Sequence, residues 1–474
     1  MAELTCDMLT DLRPARRLSG EYDATVANAR RKQRVRVLKS EDDTLVPADR
    51  KALVVANRDI HRNFSLAGWA IRKHLDYVST FTFQSRTGDD ALDTEIESRM
   101  AWWSRAENCD LRSMHDLDRL VRMLEERRTV DGDVFVLKLS DGRLQTIEGD
   151  RVGNPNSAAP IDFSSGNWVH GVQVTPGGRP LRYCVCRRTR WGGLVFSKIV
   201  PAWNIESHGF YSRLDQVRGI TPLAAAVNAF RDVYEGFDYA LAKMKVSQMF
   251  GLVFYRDYDG GGIGQTTKRD DESEGYDVDL GRGPMVLDLD PSDRAEFLES
   301  KSPSTEFQSF AQTMIGAALK SLDIPFSFFD ESFTNYSGAR QALLQYEQSA
   351  TAKRRDVQRL LDRLTLWRLG LFVADGELKL PSGKTLEDLS WEWVPAGLPW
   401  IDPLKEVNAD VAAVNNVLSS RTEVLKQRGR DFKDVVDELA RENEYMAAKG
   451  VAVVPGFAPV PAEPADDKGG DKKR

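Results

Sequence analysis

Cysteine is scarce: Cys6, Cys109, Cys184 and Cys186 are the only four in 474 residues. Thiols so few and so scattered exclude a disulfide-stapled scaffold and fit a reducing compartment, with cytosol the expected setting. Long apolar runs are missing too, since no stretch approaches the roughly 18 residues that span a bilayer. The opening "MAELTCDMLT" lacks the basic-then-apolar layout of a signal peptide. The expectation is a protein neither exported nor inserted in a membrane, in which the sequons at Asn63 and Asn335 carry no sugar. Excess positive charge is also absent: 65 Lys and Arg against 72 Asp and Glu give a formal charge of -7. That is the wrong sign for a surface that grips nucleic acid throughout, so any DNA contact must be local or weak.

Signatures of catalysis are equally thin. Residues 329–340 read "FDESFTNYSGAR", and a hydrolase built on Ser332 needs a base to activate it. All five histidines, His61, His74, His115, His170 and His208, lie far upstream, and no G-x-S-x-G elbow holds the serine. A phosphate-cradling loop around Gly383, Lys384 and Thr385 needs a glycine at 378, where Leu378 stands, and "GGGIG" at 260–264 lacks the lysine. Cys184 and Cys186 form a C-x-C pair on a predicted strand, a possible start of a zinc site. No second Cys or His pair follows at finger-like spacing, so they read as buried or half-buried thiols. The neighbouring "RRTRW", Arg187 to Trp191, reads as a strand with solvated arginines. Neither a metal nor a cofactor is expected, nor an enzyme.

What the chain does have is an ordinary globular composition, and at about 100 to 200 residues per domain its length suggests several packed units. The first fifty residues carry the basic cluster "ARRKQRVRVL" and read as an arm. From Asn57, residues Ile60, Phe64, Ala67, Ile71, Leu75 and Val78 recur at helical steps and start the first domain. Helices around 91–127 are followed by β-type runs, "DVFVLKL", "RLQTIEGDRV", "GVQVTPGGRPLRYCVC" and "LVFSKIV", with "TPGGRP" as a hairpin turn. This is an α+β unit.

Thr221 and Pro222 then cap a long helix, expected over about 222–249, with Leu223, Val227, Phe230, Tyr234, Phe237, Leu241 and Met244 in a heptad stripe. Burying seven side chains on one face contributes less than ordering such a helix costs. It should therefore need apolar contacts on more than one side, a need that neighbouring subunits would meet. A Gly- and Asp-rich insertion between the strand-like "GLVFYR" and "PMVLDLD" follows. A second helix then opens at Ser302 and Pro303, carries Phe307, Phe310, Met314, Ala318 and Leu322 on one face, and ends before Pro325. After the 329–340 segment, a longer helix from Gly338 to Leu369 carries Tyr346, Ala350, Val357, Leu360, Leu364 and Trp367. Beyond Gly370 come short β-like pieces with "WEWV", then helices near 403–418 and 432–448. The last twenty residues are Pro-, Ala- and charge-rich and read as a disordered tail.

The order of these elements resembles the portal proteins of tailed bacteriophages, lambda-like family, over about Asn57 to Gly450. The stretches that carry the likeness are "RDIHRN", "AGWAI", "DGRLQTIEGDRV", "GVQVTPGGRPLRY", "QVRGITPLAAAVNAF", "FFDESFTNYSGAR" and "WIDPLKE". The resemblance implies a helix-rich α+β portal fold assembled as a ring of about twelve identical subunits at one capsid vertex. Double-stranded DNA would be packaged and ejected through it. On this basis 1–50 is an N-terminal arm, 51–220 the wing, 221–250 and 302–323 the stem helices carrying the stripe, 251–301 the clip, and 324–338 the channel loop. Residues 339–402 are the long helix and return to the wing, 403–449 the crown, and 450–474 the tail.

The implied partners are other copies of the chain, double-stranded DNA bound weakly and without sequence preference, the terminase ATPase, the capsid protein and head-tail adaptors, with no membrane. The implied location is the virion, after assembly in the host cytoplasm. Phe329, Asp330, Glu331, Ser332, Phe333, Thr334, Asn335 and Tyr336 would form the channel loop. DNA presents about one negative charge per 1.7 Å of axis, so a lining that paired tightly with phosphates would hold the duplex back. Asp330 and Glu331 would repel phosphate, Ser332 and Asn335 offer neutral contacts, and Phe333 and Tyr336 give bulk. Rival readings are another structural head or connector protein, or a soluble hydrolase.

Overall fold

A computed structural model describes residues 38–155, 159–163, 167–249, 252–256, 293–297, 305–330, 336–397 and 402–451. The chain begins with a short helix α1 (Glu41–Thr44), then α2 (Pro47–Asn63) and α3 (Ser65–Val78). A single helix starting near Asn57 is expected from the periodicity. Instead α2 starts ten residues earlier, at Pro47, and the path breaks at Phe64, whose extended backbone (φ -112°, ψ 109°) ends one helix and caps the next. The break aims the Phe64 ring at Phe230 and Tyr234, with centroids 6.1 and 5.4 Å away.

Strand β1 (Phe81–Ser85) leads to α4 (Asp90–Trp103), α5 (Ala106–Cys109) and α6 (Leu117–Asp131). Asp89 and Asp116 cap α4 and α6 with their carboxylates, as short acidic side chains ahead of an apolar period do. The β-rich part follows: β2 (Asp133–Lys138), β3 (Leu144–Glu148), β4 (Trp168–Val169), β5 (Val172–Val174), β6 (Pro180–Arg188), β7 (Leu194–Pro201) and β8 (Ile205–Gly209). They form two antiparallel sheets, β3-β2-β8 and β4-β5-β6-β7. The expected "TPGGRP" turn closes with Thr175 and Arg179 hydrogen-bonded across it and Gly178 at φ 81°. Phe135, Ile147, Val172, Val185 and Ile205 are buried together between the sheets.

Thr221 caps as expected, its hydroxyl accepting from the Leu223 N–H, but the first turn, Pro222–Ala225, is a 3-10 helix before α7 (Val227–Met249) begins. Strand β9 (Leu252–Arg256) pairs antiparallel with β10 (Asp293–Phe297). The expected strand "PMVLDLD" at 284–290 and the Gly-rich loop lie outside the described residues, and the partner found for β9 is "DRAEF". Helix α8 (Thr305–Leu319) ends in a 3-10 turn, Lys320–Leu322, before Pro325. Helix α9 (Tyr336–Ala374) has 39 residues, about 58 Å at 1.5 Å per residue. It runs past the expected end at Leu369 because Gly370 continues the helix. Strand β11 (Trp391–Pro395) returns to pair with β1. Helices α10 (Pro403–Asn415), α11 (Arg421–Gln427) and α12 (Phe432–Ala448) complete the described chain.

One large apolar core joins α2, α3, α4, α6, the start of α7, α8 and α9. From α9 it takes Tyr346, Ala350, Val357, Leu360 and Leu364 of the stripe read from the sequence, together with Leu361, Leu369 and Phe372, while Trp367 is only partly buried against it.

Candidate functional site

The heptad stripe divides in two. Leu223, Val227 and Phe230 are buried, while Tyr234, Phe237 and Leu241 stay 45%, 44% and 48% exposed. Met244 is half-buried. Phe237 meets Phe307 of α8 edge-on at 6.0 Å, so the two helices do pack together. Phe310, on the face of α8 expected to be apolar, is nonetheless 61% exposed. At its base the α7–α8 pair is rooted in the core. Further out it carries large apolar side chains that this chain leaves uncovered.

The 329–340 segment starts from a fixed root. After α8, Asp323 takes the left-handed conformation (φ 62°, ψ 16°). Its carboxylate accepts from the Ser349 hydroxyl at 2.6 Å and pairs with the Lys353 ammonium at 2.9 Å. Lys353 also donates to the Leu322 carbonyl at 2.7 Å. Burial opposes ionisation of Asp323, but Ser349 and Lys353 outweigh it and hold the carboxyl below its ordinary value. Beyond Ile324, which is fully buried, Phe328 packs against Tyr346 (5.5 Å) and Tyr77 (6.0 Å), and those two tyrosines meet edge-on at 5.0 Å. Phe329 is 40% exposed and lies edge-on to Trp69 at 6.2 Å, with Phe326 at 5.6 Å. At least this aromatic ring of the proposed channel loop packs back on its own base. Residues 331–335, which include Glu331, Ser332, Phe333, Thr334 and Asn335, lie outside the described residues; Tyr336 begins α9.

Two buried ionic clusters escaped the sequence reading, since most of their members are far apart in the chain. In the first, Glu125 of α6 is completely buried and accepts from His74 Nε2 (3.0 Å), His208 Nε2 (2.9 Å) and Arg128 (3.0 Å). Burial pushes the Glu125 carboxyl up, yet Arg128 and the two imidazole N–H groups together hold it well below the carboxylate range. Both histidines are lowered, mainly by burial. Each turns its Nε2 to the carboxylate, and among the described residues His74 Nδ1 has no partner. Arg128 continues to Asp356 of α9 at 2.5 Å and stacks on the Phe210 ring at 3.8 Å. The cluster therefore fastens α3, α6, β8 and α9 to one another.

In the second, Asp133 takes two hydrogen bonds from Arg218 (2.7 and 3.0 Å), one from Arg50 (2.9 Å) and one from the Gly219 N–H (3.0 Å). Arg218 also donates to the carbonyls of Val152, His170 and Gly149. Every donor of that buried guanidinium is used, the condition under which a buried charge is tolerable. "QVRGITP" is thus the strap that ties the sheets to the start of α7. The signal was an arginine beside glycine just ahead of a helix cap, which spacing alone does not mark.

The other candidate chemical groups are engaged in packing. Cys184 and Cys186 are buried with their sulfurs 3.8 Å apart. Their mutual hydrogen bond, and then burial, push the Cys184 thiol up. Asp131, Glu148 and Asp150 bring carboxylate oxygens within 4.8 Å of one another, a spacing that suits a cation. Arg58 fills that place, donating to Asp131 at 2.8 and 2.6 Å, Glu148 at 3.0 Å and Asp150 at 2.9 Å. Arg188, from the basic "RRTRW", joins Glu148 and Asp150, and Arg190 lies over the exposed Trp191. Among the described residues no helix is long and apolar enough to cross a membrane.

Helices α10, α11 and α12 bury none of their residues. Ion pairs tie them to the rest: Arg86 with Asp431, Lys433 with Asp90 at 2.8 Å, and Lys426 with Glu392. Leu404, Val411, Leu439 and Tyr445 are all exposed.

Comparison with known proteins places this geometry. Residues 28–354 match the family described as "Phage portal protein, lambda family". The chain is 22% identical over 395 residues to a probable portal protein of Halomonas phage phiHAP-1, covering 77% of this chain and 72% of that one. It is 22% identical over 461 residues to portal protein B of Escherichia phage lambda, covering 83% of each. Among solved structures, chains from the neck of an empty gene transfer agent particle (TM-score 0.46) and from a native gene transfer agent virion (TM-score 0.47) are similar at 14% identity. They cover 79% and 80% of this chain and 93% and 92% of their own. The matched stretch runs from just ahead of the basic cluster at 29–38 to the middle of α9, and the chain belongs to the lambda family of phage portal proteins.

Proposed function

We propose that this chain is the repeating subunit of a portal ring, the channel at one capsid vertex through which double-stranded DNA is packaged and later ejected. The observation that carries the reading is the family match over residues 28–354. The half-uncovered stripe on α7 supports it, because a subunit that packs side by side with copies of itself must present apolar side chains that its own fold leaves bare. In this reading 51–220 is the wing, α7 and α8 are the stem, 251–301 is the clip, 324–338 is the channel loop and α10 to α12 are the crown. The terminase ATPase and head-tail adaptors meet the clip, the capsid protein surrounds the ring, and the finished assembly resides in the virion after assembly in the host cytoplasm. The role is mechanical, with no turnover by the chain itself.

Negative-stain microscopy of the purified protein tests this directly. Rings with a central hole are expected, about twelve subunits around. A protein that stays monomeric at high concentration and hydrolyses an ester with loss of turnover in Ser332→Ala would replace this reading with a hydrolase. Removal of residues 329–336 should leave rings intact and impair packaging or DNA retention.

A further inference from the structure

We infer that Lys353 and Asp323 are positioning residues, a latch between α9 and the turn after α8 that sets the direction in which the chain leaves toward the channel segment. The inference rests on the portal reading for what the segment does, but the latch itself is geometric. A left-handed turn at the end of a helix is the usual place for glycine, because a Cβ there is strained by roughly 1–2 kcal/mol. An aspartate at φ 62° offers a carboxylate at the turn that glycine would lack.

Here it reaches across to α9. Ser349 and Lys353 stand one helical turn apart on α9, and the same Asp323 oxygen takes the hydroxyl of the first and the ammonium of the second. Lys353 closes the loop of contacts by donating to the carbonyl of Leu322, one residue before the turn. Burial lowers the Lys353 ammonium, and Asp323 is the first of the groups that hold it charged. Lys353 is thus a largely buried cation that bonds both Leu322 and Asp323 of the turn.

The other side of the turn is held by rings. Pro325 fixes its own φ, and Phe328 is wedged between Tyr77 of α3 and Tyr346 of α9. The direction of the chain at Phe329 is therefore held by α9 through charge and by α3 and α9 together through aromatic packing. Removing the charge arm should leave the fold and change the aim.

Asp323→Gly and Lys353→Met separate these possibilities, because the first keeps the left-handed turn and the second keeps the aliphatic stem. Each should form rings like the parent by microscopy and melt close to it, with Asp323→Gly no less stable. Both should lose DNA-filled, nuclease-protected particles when packaged with the cognate capsid and motor proteins. If the turn matters only for folding, Asp323→Gly will package as the parent does, and the latch is refuted. If both variants fail to form rings, the pair belongs to assembly rather than to aiming, and the latch is likewise refuted. Deleting 329–336 in the parent serves as the control. A deletion without effect on packaging overturns the channel reading itself, whereas an impaired deletion with normal point variants overturns the latch alone.

Discussion

Phe230 and Phe237 stand two turns apart on the same face of α7, yet the first is 2% exposed and the second 44%. The helix leaves the core between them. Phe230 is held by Phe64 and its neighbours, and Phe237 has Phe307 on one side only. Their substitutions should consequently report on different things.

Phe230→Ala should destabilise the folded subunit by about 3–5 kcal/mol, the usual cost of emptying a buried aromatic site. Phe237→Asp should leave unfolding of the separated subunit within about 0.5 kcal/mol of the parent, as surface changes do, while abolishing rings. Denaturant unfolding and analytical ultracentrifugation measure the two effects. Intact rings from Phe237→Asp would remove this face from the interface.

Glu125 is the common acceptor of three buried donors, so Glu125→Ala should cost about 3–5 kcal/mol by leaving Arg128 and two imidazoles without it. Urea titration of the purified variant gives the number. A loss below about 1 kcal/mol would mean that the cluster relaxes to water or to Asp356, as exposed pairs do.

The same cluster gives a pH dependence with a definite sign. His74 and His208 are held below their ordinary values, burial being the larger cause. Each therefore binds fewer protons folded than unfolded from about pH 6.5 down to its folded value, and stability falls on acidification through that window. Glu125 adds a second stage: its contribution is present above about pH 4.3 and is lost as pH drops through its depressed folded value. The urea midpoint should begin to fall below about pH 6.5, with a shallower fall in His208→Gln. A flat profile from neutral pH to that of the carboxylates would mean that the imidazoles keep their protons in the fold.

Gly132 and Gly219 face each other across the join of α6 and the strap. A Cβ on Gly132, at φ 99°, would lie 2.7 Å from the Gly219 carbonyl oxygen, and one on Gly219 would lie 2.2 Å from that of Gly132. Either alanine substitution should cost at least about 1–3 kcal/mol. The double variant should cost less than the sum, because the first change already forces the strands apart. Thermal melts of the three variants decide it, and full additivity would show that the two backbones yield independently.

Tyr346 is buried, and among the described residues its hydroxyl has no hydrogen-bond partner. Tyr346→Phe keeps the ring against Phe328 and Tyr77 and removes a polar group that has no bond, so the melting temperature should stay level or rise. A clear drop would reveal a partner for the hydroxyl in the assembled protein.

Much of this architecture was legible because it is written in local periods. The stripes at 346–364 and 60–78, the strands around the "TPGGRP" turn and the Thr221 cap all follow from side chains within one or two turns of each other. The break at Phe64 was not, because apolar spacing runs through it without a gap and only the ring contacts with Phe230 and Tyr234 give it a purpose. Nor were Glu125 and Asp133, whose partners, Arg128 apart, lie 51 to 86 positions away in sequence. A charged residue inside a helix or strand pattern reads as solvated until its distant partner is known. For the candidate site, the sequence marked the stripe and the segment after Phe328, but gave no hint that Asp323 and Lys353 brace its start.

Helices α10, α11 and α12 bury none of their own residues and are tied to the body by ion pairs such as Lys433 with Asp90 at 2.8 Å, and such a joint answers to dissolved ions. At the ionic strength of a cell the reach of each charge is about 8 Å, and it contracts to about 3 Å in molar salt. Purification in strong brine should therefore swivel or loosen this end long before the apolar interior notices, whereas dilute buffer should stiffen it. The three C-terminal helices would then be the part whose posture the surrounding electrolyte sets.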